Sequence, residues 1–318
     1  MSYTPDTVVN VGKCATTGVE ISICYNAFGD PKDPCILLVM GMTGVGMLWR
    51  DEFCEMLARN GYYVIRYDNR DVGLSTRLSD FPGPHVLRML LPHTLSLGER
   101  NPYTLEDMAA DGMNLLTTLG IDAAHVVGCS MGGMIVQLMA IHYPTRVRTL
   151  TIIYSHTSNP ARIREGWRTK LRFLDRPASS ALEDLIEFKC FLMRRTAGLN
   201  YPPDEEKTRR FAKQILTRAA EDPMCLRRHL AACQRAGSRM EALRDLKTPT
   251  LVIHGMEDQT IPYQNGIELA AVIGRSAKLV LFPHMDHSLP EELYTDLVQD
   301  IVWNTRRTSA SASASASA

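Results

Sequence analysis

Strand-like and helix-like segments alternate along this 318-residue chain. That alternation predicts an α/β fold: a mostly parallel central sheet with right-handed crossovers and helices on both faces. Two further observations shape the prediction. Several strand candidates are continuous apolar runs, the pattern of strands buried on both faces. One long stretch, Ser155 to Leu246, has no good strand and reads as an inserted helical cap.

The elements follow in order. Glu20 to Phe28 alternates enough for a first strand or strand pair, and Cys35 to Met40 is an apolar run ending at Gly41. Trp49 to Asn60 has helical period and stops at Gly61; Tyr62 to Tyr67 is the next strand. Thr104 to Leu119 is a helix, with Thr104 as N-cap, Asp107 at capping-box distance and Gly120 as the stop. Ala124 to Gly128 is a short β-branched strand. Met131 to Tyr143 is an apolar helix closed by Pro144. Arg148 to Tyr154 is a further strand. After the cap come strands at Thr250–His254 and Lys278–Phe282, a helix containing Ile267 to Ile273 between them, and a closing helix from Glu291 to Thr305. The domain reading is an N-terminal extension over 1–16, a core over 17–154 and 247–308, the cap over 155–246, and a disordered Ser/Ala tail over 309–318.

Composition excludes some classes. The net formal charge is zero, so no global field points to nucleic acid. Residues 123–145 lack Lys, Arg, Asp and Glu, but the glycines, Ser130, Gln137 and His142 argue for a protein core rather than a membrane span. The eight cysteines show no Cys-x-x-Cys pair and the N-terminus carries no basic-then-apolar signal, so reduced thiols in the cytoplasm are the expectation. The cap holds 19 Lys and Arg against 12 Asp and Glu, and the rest of the chain balances it. One reading is a basic helical surface docking on an acidic body. The sharper one is that some arginines face an anionic substrate or anionic lipid. The proline-containing link from Arg77 to Asn101 reads as a loop or short helix near the site mouth.

The chemistry centres on Gly128-Cys129-Ser130-Met131-Gly132. Between a strand and a helix, such a segment makes a sharp turn that holds the serine hydroxyl in the open. A serine needs a base to take its proton. His287, in the loop after the last strand, falls at the same sheet edge, and so does Asp258 after the strand before it. His287 is expected to shuttle the proton, and Asp258 to hold the imidazole tautomer. Glu257 and His284 are the competing acid and base. Glu257 neighbours Asp258 but points the other way, and His284 lies closer to its strand. His284, Asp286 and His287 also resemble part of a metal-binding motif, but the His-x-His pair that would complete it is missing and no Cys/His cluster replaces it, so no metal is expected. Two backbone N–H groups, of Met131 and of Met42 in Gly41-Met42-Thr43-Gly44, are the expected oxyanion donors.

From about residue 17 to 307 the chain resembles the α/β-hydrolase superfamily. Phe28-Gly29-Asp30-Pro31, Leu37–Gly41, Trp49–Phe53 and the run from Val64 to Thr76 resemble aclacinomycin methylesterase and its esterase relatives. That resemblance implies a cofactor-free serine hydrolase cleaving a methyl ester, with Ser130, Asp258 and His287 as the triad and the Met42 and Met131 N–H groups as the oxyanion hole. Two positions depart from many relatives: Met40 stands where they carry His, and Asp286 where they carry Gly. A carboxylate beside His287 either raises its pKa or points to solvent.

The leading expectation is a small-molecule carboxylic ester hydrolase acting through an acyl-enzyme on Ser130. The alternatives are a thioesterase, a monoacylglycerol lipase or an amidase on the same triad, or a non-catalytic ligand-binding member of the fold.

Overall fold

The computed structural model describes residues 2–81, 83, 101–161 and 175–307. The Ser/Ala tail and most of the Arg77–Asn101 link lie outside them.

Eight strands form one sheet: β1 (Tyr3–Lys13), β2 (Glu20–Phe28), β3 (Cys35–Val39), β4 (Tyr63–Tyr67), β5 (Ala124–Cys129), β6 (Val147–Ile153), β7 (Thr250–Gly255) and β8 (Ala277–Phe282). Their order is β1-β2-β4-β3-β5-β6-β7-β8. β2 pairs antiparallel with β1 and with β4, and every other pair is parallel. The helices are α1 (Asp51–Arg59), α2 (Leu105–Thr118), α3 (Met131–His142), α4 (Leu182–Ala197), α5 (Glu205–Arg218), α6 (Cys225–Arg235), α7 (Met240–Arg244), α8 (Gln264–Ile273) and α9 (Tyr294–Thr305).

Side chains that alternate along a strand alternate between two cores. Ile36, Leu38, Val64, Val127 and Ile253 face α1 and α9, meeting Phe53, Leu57, Leu297 and Ile301. Leu37, Val39, Ile65, Val126 and Val252 face α2, α3 and α8, meeting Met108, Leu115, Ile135, Met139 and Leu269. The apolar runs are explained: both faces of the central strands are covered. The capping box at α2 is present. The Thr104 side chain accepts from the Asp107 N–H, and the Asp107 carboxylate accepts from the Thr104 N–H.

One element escapes the sequence pattern. β1 occupies the segment expected to be an extension, and two register shifts interrupt its pairing with β2. Pro5 is compatible with an edge strand, where an N–H can face outward unpaired. Among the described residues no helix is long and apolar enough to cross a membrane.

The parallel strands set up the site. Their carboxyl ends lie along one edge, where open α/β sheets bind ligands. The loops after β3, β4, β5, β6, β7 and β8 therefore converge, and between β6 and β7 the helices α4 to α7 are inserted.

Candidate active site

Ser130 sits between β5 and α3 with φ 54° and ψ −121°, a conformation an L-residue rarely adopts. The flanking residues permit the turn. A Cβ on Gly128 would stand 2.2 Å from the Gly132 carbonyl oxygen, and one on Gly132 would stand 2.1 Å from that of Val39. The Ser130 N–H donates to the Ile153 carbonyl at 3.0 Å, and its carbonyl accepts from the Ser155 hydroxyl at 2.8 Å. These bonds tie the turn to β6.

Three side chains from three loops form a row. The Ser130 Oγ lies 3.0 Å from His287 Nε2, and His287 Nδ1 lies 2.8 Å from Asp258 Oδ2. Asp258 is buried, and its other oxygen accepts the N–H groups of Thr260 and Ile261, each at 2.8 Å. Burial pushes the Asp258 carboxyl up. The charge of His287 and the hydrogen bonds from His254 and His287 outweigh it and hold the carboxyl well below the usual range. An ionised Asp258 accepts Nδ1–H, which leaves Nε2 free to accept the serine proton. The Tyr154 ring packs on the imidazole with centroids 4.5 Å apart.

The competing acid and base pair with each other. His284 Nδ1 lies 3.2 Å from Glu257 Oε1, both side chains are exposed, and Asn200 donates to Glu257 at 2.8 Å. Asp286 does not face solvent. It is buried, and its Oδ1 accepts the N–H of His287 at 2.7 Å and of Gln259 at 3.2 Å. It thus ties the acid-bearing loop to the base-bearing loop. Burial pushes its own carboxyl up despite those two bonds.

The turn from Gly41 to Gly44 lies against the serine. A Cβ on Gly41 would be 3.1 Å from the Ser130 Cβ, and the Gly44 N–H closes the turn on the Gly41 carbonyl at 3.2 Å. Met131 opens α3, where an N–H has no partner within the helix. Gly41 thus packs against the Ser130 side chain, and Met131 follows the serine at the start of the helix.

Sequence reasoning missed the residues that hold this turn. Asn69 donates to the Met40 carbonyl at 2.9 Å, and Asp68 accepts the Gly46 N–H at 2.7 Å. Asp71 is buried at φ 72° and accepts from Arg228 at 2.7 and 3.0 Å, from the Tyr103 hydroxyl at 2.5 Å and from the Leu78 N–H at 2.7 Å. Arg70 forks onto Asp111 with two bonds of 2.7 Å. The charged run from Asp68 to Asp71, directly after an apolar strand, was the available signal. His229, which meets the turn from α6, had none.

The arginines of the inserted helices are largely committed. Arg218 bonds Asp6 and Asp68, Arg228 bonds Asp71 and Asp222, Arg194 bonds Glu187 and Glu205, and Arg239 bonds the Gln137 side chain and the His156 carbonyl. Three of those acids, Asp6, Asp68 and Asp71, belong to the body. Among the described residues no three His, Cys, Asp or Glu side chains are grouped to hold a metal ion.

Comparison with known proteins agrees with this architecture. The model of the alpha/beta hydrolase fold family matches residues 34–292. The chain is 30% identical over 308 residues to rhodomycin D methylesterase DauP of Streptomyces sp. (strain C5), covering 90% of this chain and 96% of that one. It is also 30% identical over 309 residues to rhodomycin D methylesterase DnrP of Streptomyces peucetius, covering 91% and 97%. Among solved structures, a thermophilic esterase from Thermogutta terrifontis superposes with TM-score 0.68 at 22% identity, over 95% of this chain and 99% of that one. A hydrolase from Pseudomonas aeruginosa superposes with TM-score 0.66 at 22% identity, over 96% and 98%. A family match across most of the chain, joined to full-length similarity to two methylesterases, leads to one conclusion: the chain belongs to the α/β-hydrolase family, among its carboxylic ester hydrolases.

Proposed function

We propose that this protein hydrolyses the methyl ester of a small molecule through an acyl-enzyme on Ser130, with the helices inserted between β6 and β7 serving as a cap over the site. The observation that carries the reading is the row Ser130–His287–Asp258, with bonds of 3.0 and 2.8 Å. His287 Nε2 takes the Ser130 proton as Oγ attacks the ester carbonyl. The N–H groups of Met42 and Met131 receive the oxyanion. The tetrahedral adduct collapses, and His287 returns the proton to the departing methoxide, which leaves as methanol. His287 then deprotonates a water that attacks the acyl-enzyme. Collapse of the second adduct releases the acid, and the proton returns to Ser130. Asp258 stays ionised throughout and stabilises the imidazolium in both steps.

The methyl-ester class rests on the two full-length relatives whose names give rhodomycin D methylesterase activity. An anionic substrate calls for a cap cation aimed at the pocket. The paired Arg194, Arg218, Arg228 and Arg239 favour a neutral substrate. A panel of methyl esters, rhodomycin D among them and graded in charge, tests both points by methanol release. Turnover of neutral members, with loss of turnover and of fluorophosphonate labelling in Ser130→Ala, is expected. Unlabelled native protein with no ester turnover overturns the reading. A marked preference for acidic members overturns the choice of a neutral substrate.

A further inference from the structure

We propose that His229, on the inserted helix α6, is a positioning residue for the oxyanion turn, so that a competent oxyanion hole requires α6 to be seated. The inference rests on the serine-hydrolase reading of Ser130 and Met42 and deepens it.

His229 is fully buried, and both of its ring nitrogens are committed. Nε2 lies 3.0 Å from the Arg70 carbonyl oxygen, and the Thr43 N–H points at Nδ1 at 3.1 Å. A carbonyl only accepts, so Nε2 carries the hydrogen. Nδ1 is therefore bare and accepts the Thr43 N–H. Only the neutral Nε2–H tautomer satisfies both neighbours. A ring protonated at Nδ1 would set one N–H against another.

The bond falls at a telling place. Thr43 adopts φ 56°, the left-handed region that a β-branched residue avoids. Something must hold it there. The peptide that carries the Thr43 N–H is the one joining Met42 to Thr43. Anchoring it fixes the backbone on the carboxyl side of Met42, one peptide away from the N–H that would meet the oxyanion. The other end of the imidazole holds the loop after β4, whose Asn69 in turn bonds the Met40 carbonyl. His229 thus spans two segments that bracket the turn.

Its own helix is fixed by the preceding residue. Arg228 and Asp71 share two hydrogen bonds with both side chains fully buried. The groups packed around the imidazole are Asp71 and Arg70 from the loop after β4, Arg228 and Cys225 from α6, and the Tyr103 ring 6.0 Å away. Burial outweighs Asp71 and pushes the imidazole pKa down, which agrees with a neutral ring.

The test compares His229→Phe, which keeps a ring and loses the acceptor, with His229→Asn, whose Oδ1 can still accept the Thr43 N–H. Turnover of p-nitrophenyl butyrate is measured beside Ser130→Ala. In His229→Phe, kcat should fall about 10²–10³-fold, the loss seen when one oxyanion donor is removed, with KM within about threefold of wild type. His229→Asn should recover to within about tenfold of wild type. Wild-type kcat in His229→Phe, or no rescue in His229→Asn, removes the positioning role while an inactive Ser130→Ala leaves the serine-hydrolase reading intact. An active Ser130→Ala removes that reading itself. Should His229→Phe fail to fold, ¹⁵N spectra of the wild-type imidazole decide. The expected result is a protonated Nε2 and a bare Nδ1, and the opposite tautomer overturns the proposal.

Discussion

Two acid–histidine pairs bridge the same two loops, and they differ in almost every respect that matters to catalysis. Asp258 and His287 form the inner pair at 2.8 Å; Glu257 and His284 form the outer pair at 3.2 Å. The acids are neighbours in sequence, yet the Asp258 side chain is fully buried and that of Glu257 is 42% exposed. Asp258 receives two backbone N–H bonds besides the imidazole, which lock its orientation. Glu257 meets only side chains here, Asn200 and His284. Solvent screens the outer pair, so its geometry carries little energy. The inner pair is held by backbone and ends on a serine. Composition alone does not distinguish the two; the difference comes from burial and from what lies beyond the imidazole.

Substitutions can break or sharpen that contrast. The largest effect is expected at the end of the inner row. Ser130→Ala and His287→Ala should each lower kcat by on the order of 10⁶, with the double variant no worse than either single one, measured with p-nitrophenyl butyrate. Asp258→Asn should cost roughly 10⁴ in kcat by leaving the wrong imidazole tautomer. A loss of that size in Glu257→Gln instead would invert the assignment of the acid. The same Asp258→Asn variant should also change acid stability. The folded carboxyl titrates below its unfolded value, so its contribution is present above about pH 3.9 and lost as pH falls toward the folded value. Urea unfolding at acid and neutral pH should therefore show a shallower acid-side loss in the variant.

A smaller effect is expected at the tie between the loops. Asp286→Ala strips the Gln259 and His287 N–H groups of an acceptor, which should cost about 1–3 kcal/mol of stability and lower kcat without changing KM. A change in KM alone would mean that Asp286 shapes the pocket rather than the histidine. The smallest effect belongs to the outer pair. Glu257→Gln and His284→Ala should each stay within about 0.5 kcal/mol of wild type, with kcat unchanged.

The inner row was legible because each member carries a local sign. Ser130 stands between two glycines that the turn requires, and Asp258 and His287 each follow an apolar strand whose end fixes their edge. The sheet was legible for the same reason, since runs such as Cys35–Val39 are covered on both faces. β1 was not, because Pro5, Asp6, Asn10 and Gly12 break its alternation and only pairing with β2 makes it a strand. The supports of the Gly41–Gly44 turn were not legible either. His229 lies 186 residues from Thr43, and no period links them. Asp71 and Arg228 find each other across 157 residues, and nothing local pairs the one with the other. A basic segment looked like a surface for anions, whereas Arg218 and Arg228 settle on acids of the body and Arg194 on acids of the inserted helices themselves.

Five non-glycine residues take positive φ: Thr43, Asp71, Ser130, Tyr154 and Ser158, counted among the described residues. Each follows the carboxyl end of a strand, and each lies in a loop that builds or braces the site. Conformations of this kind cost of order 1–3 kcal/mol apiece and persist only where surrounding structure over-determines them. Among the described residues, the working edge is thus the least relaxed part, held taut by the two cores beneath it. Warming should slacken that edge before the cores melt, so ester turnover is expected to fade at temperatures where the far-ultraviolet circular dichroism is still native. The protein's functional lifetime is then set by how firmly it is braced, not by how stably it is folded.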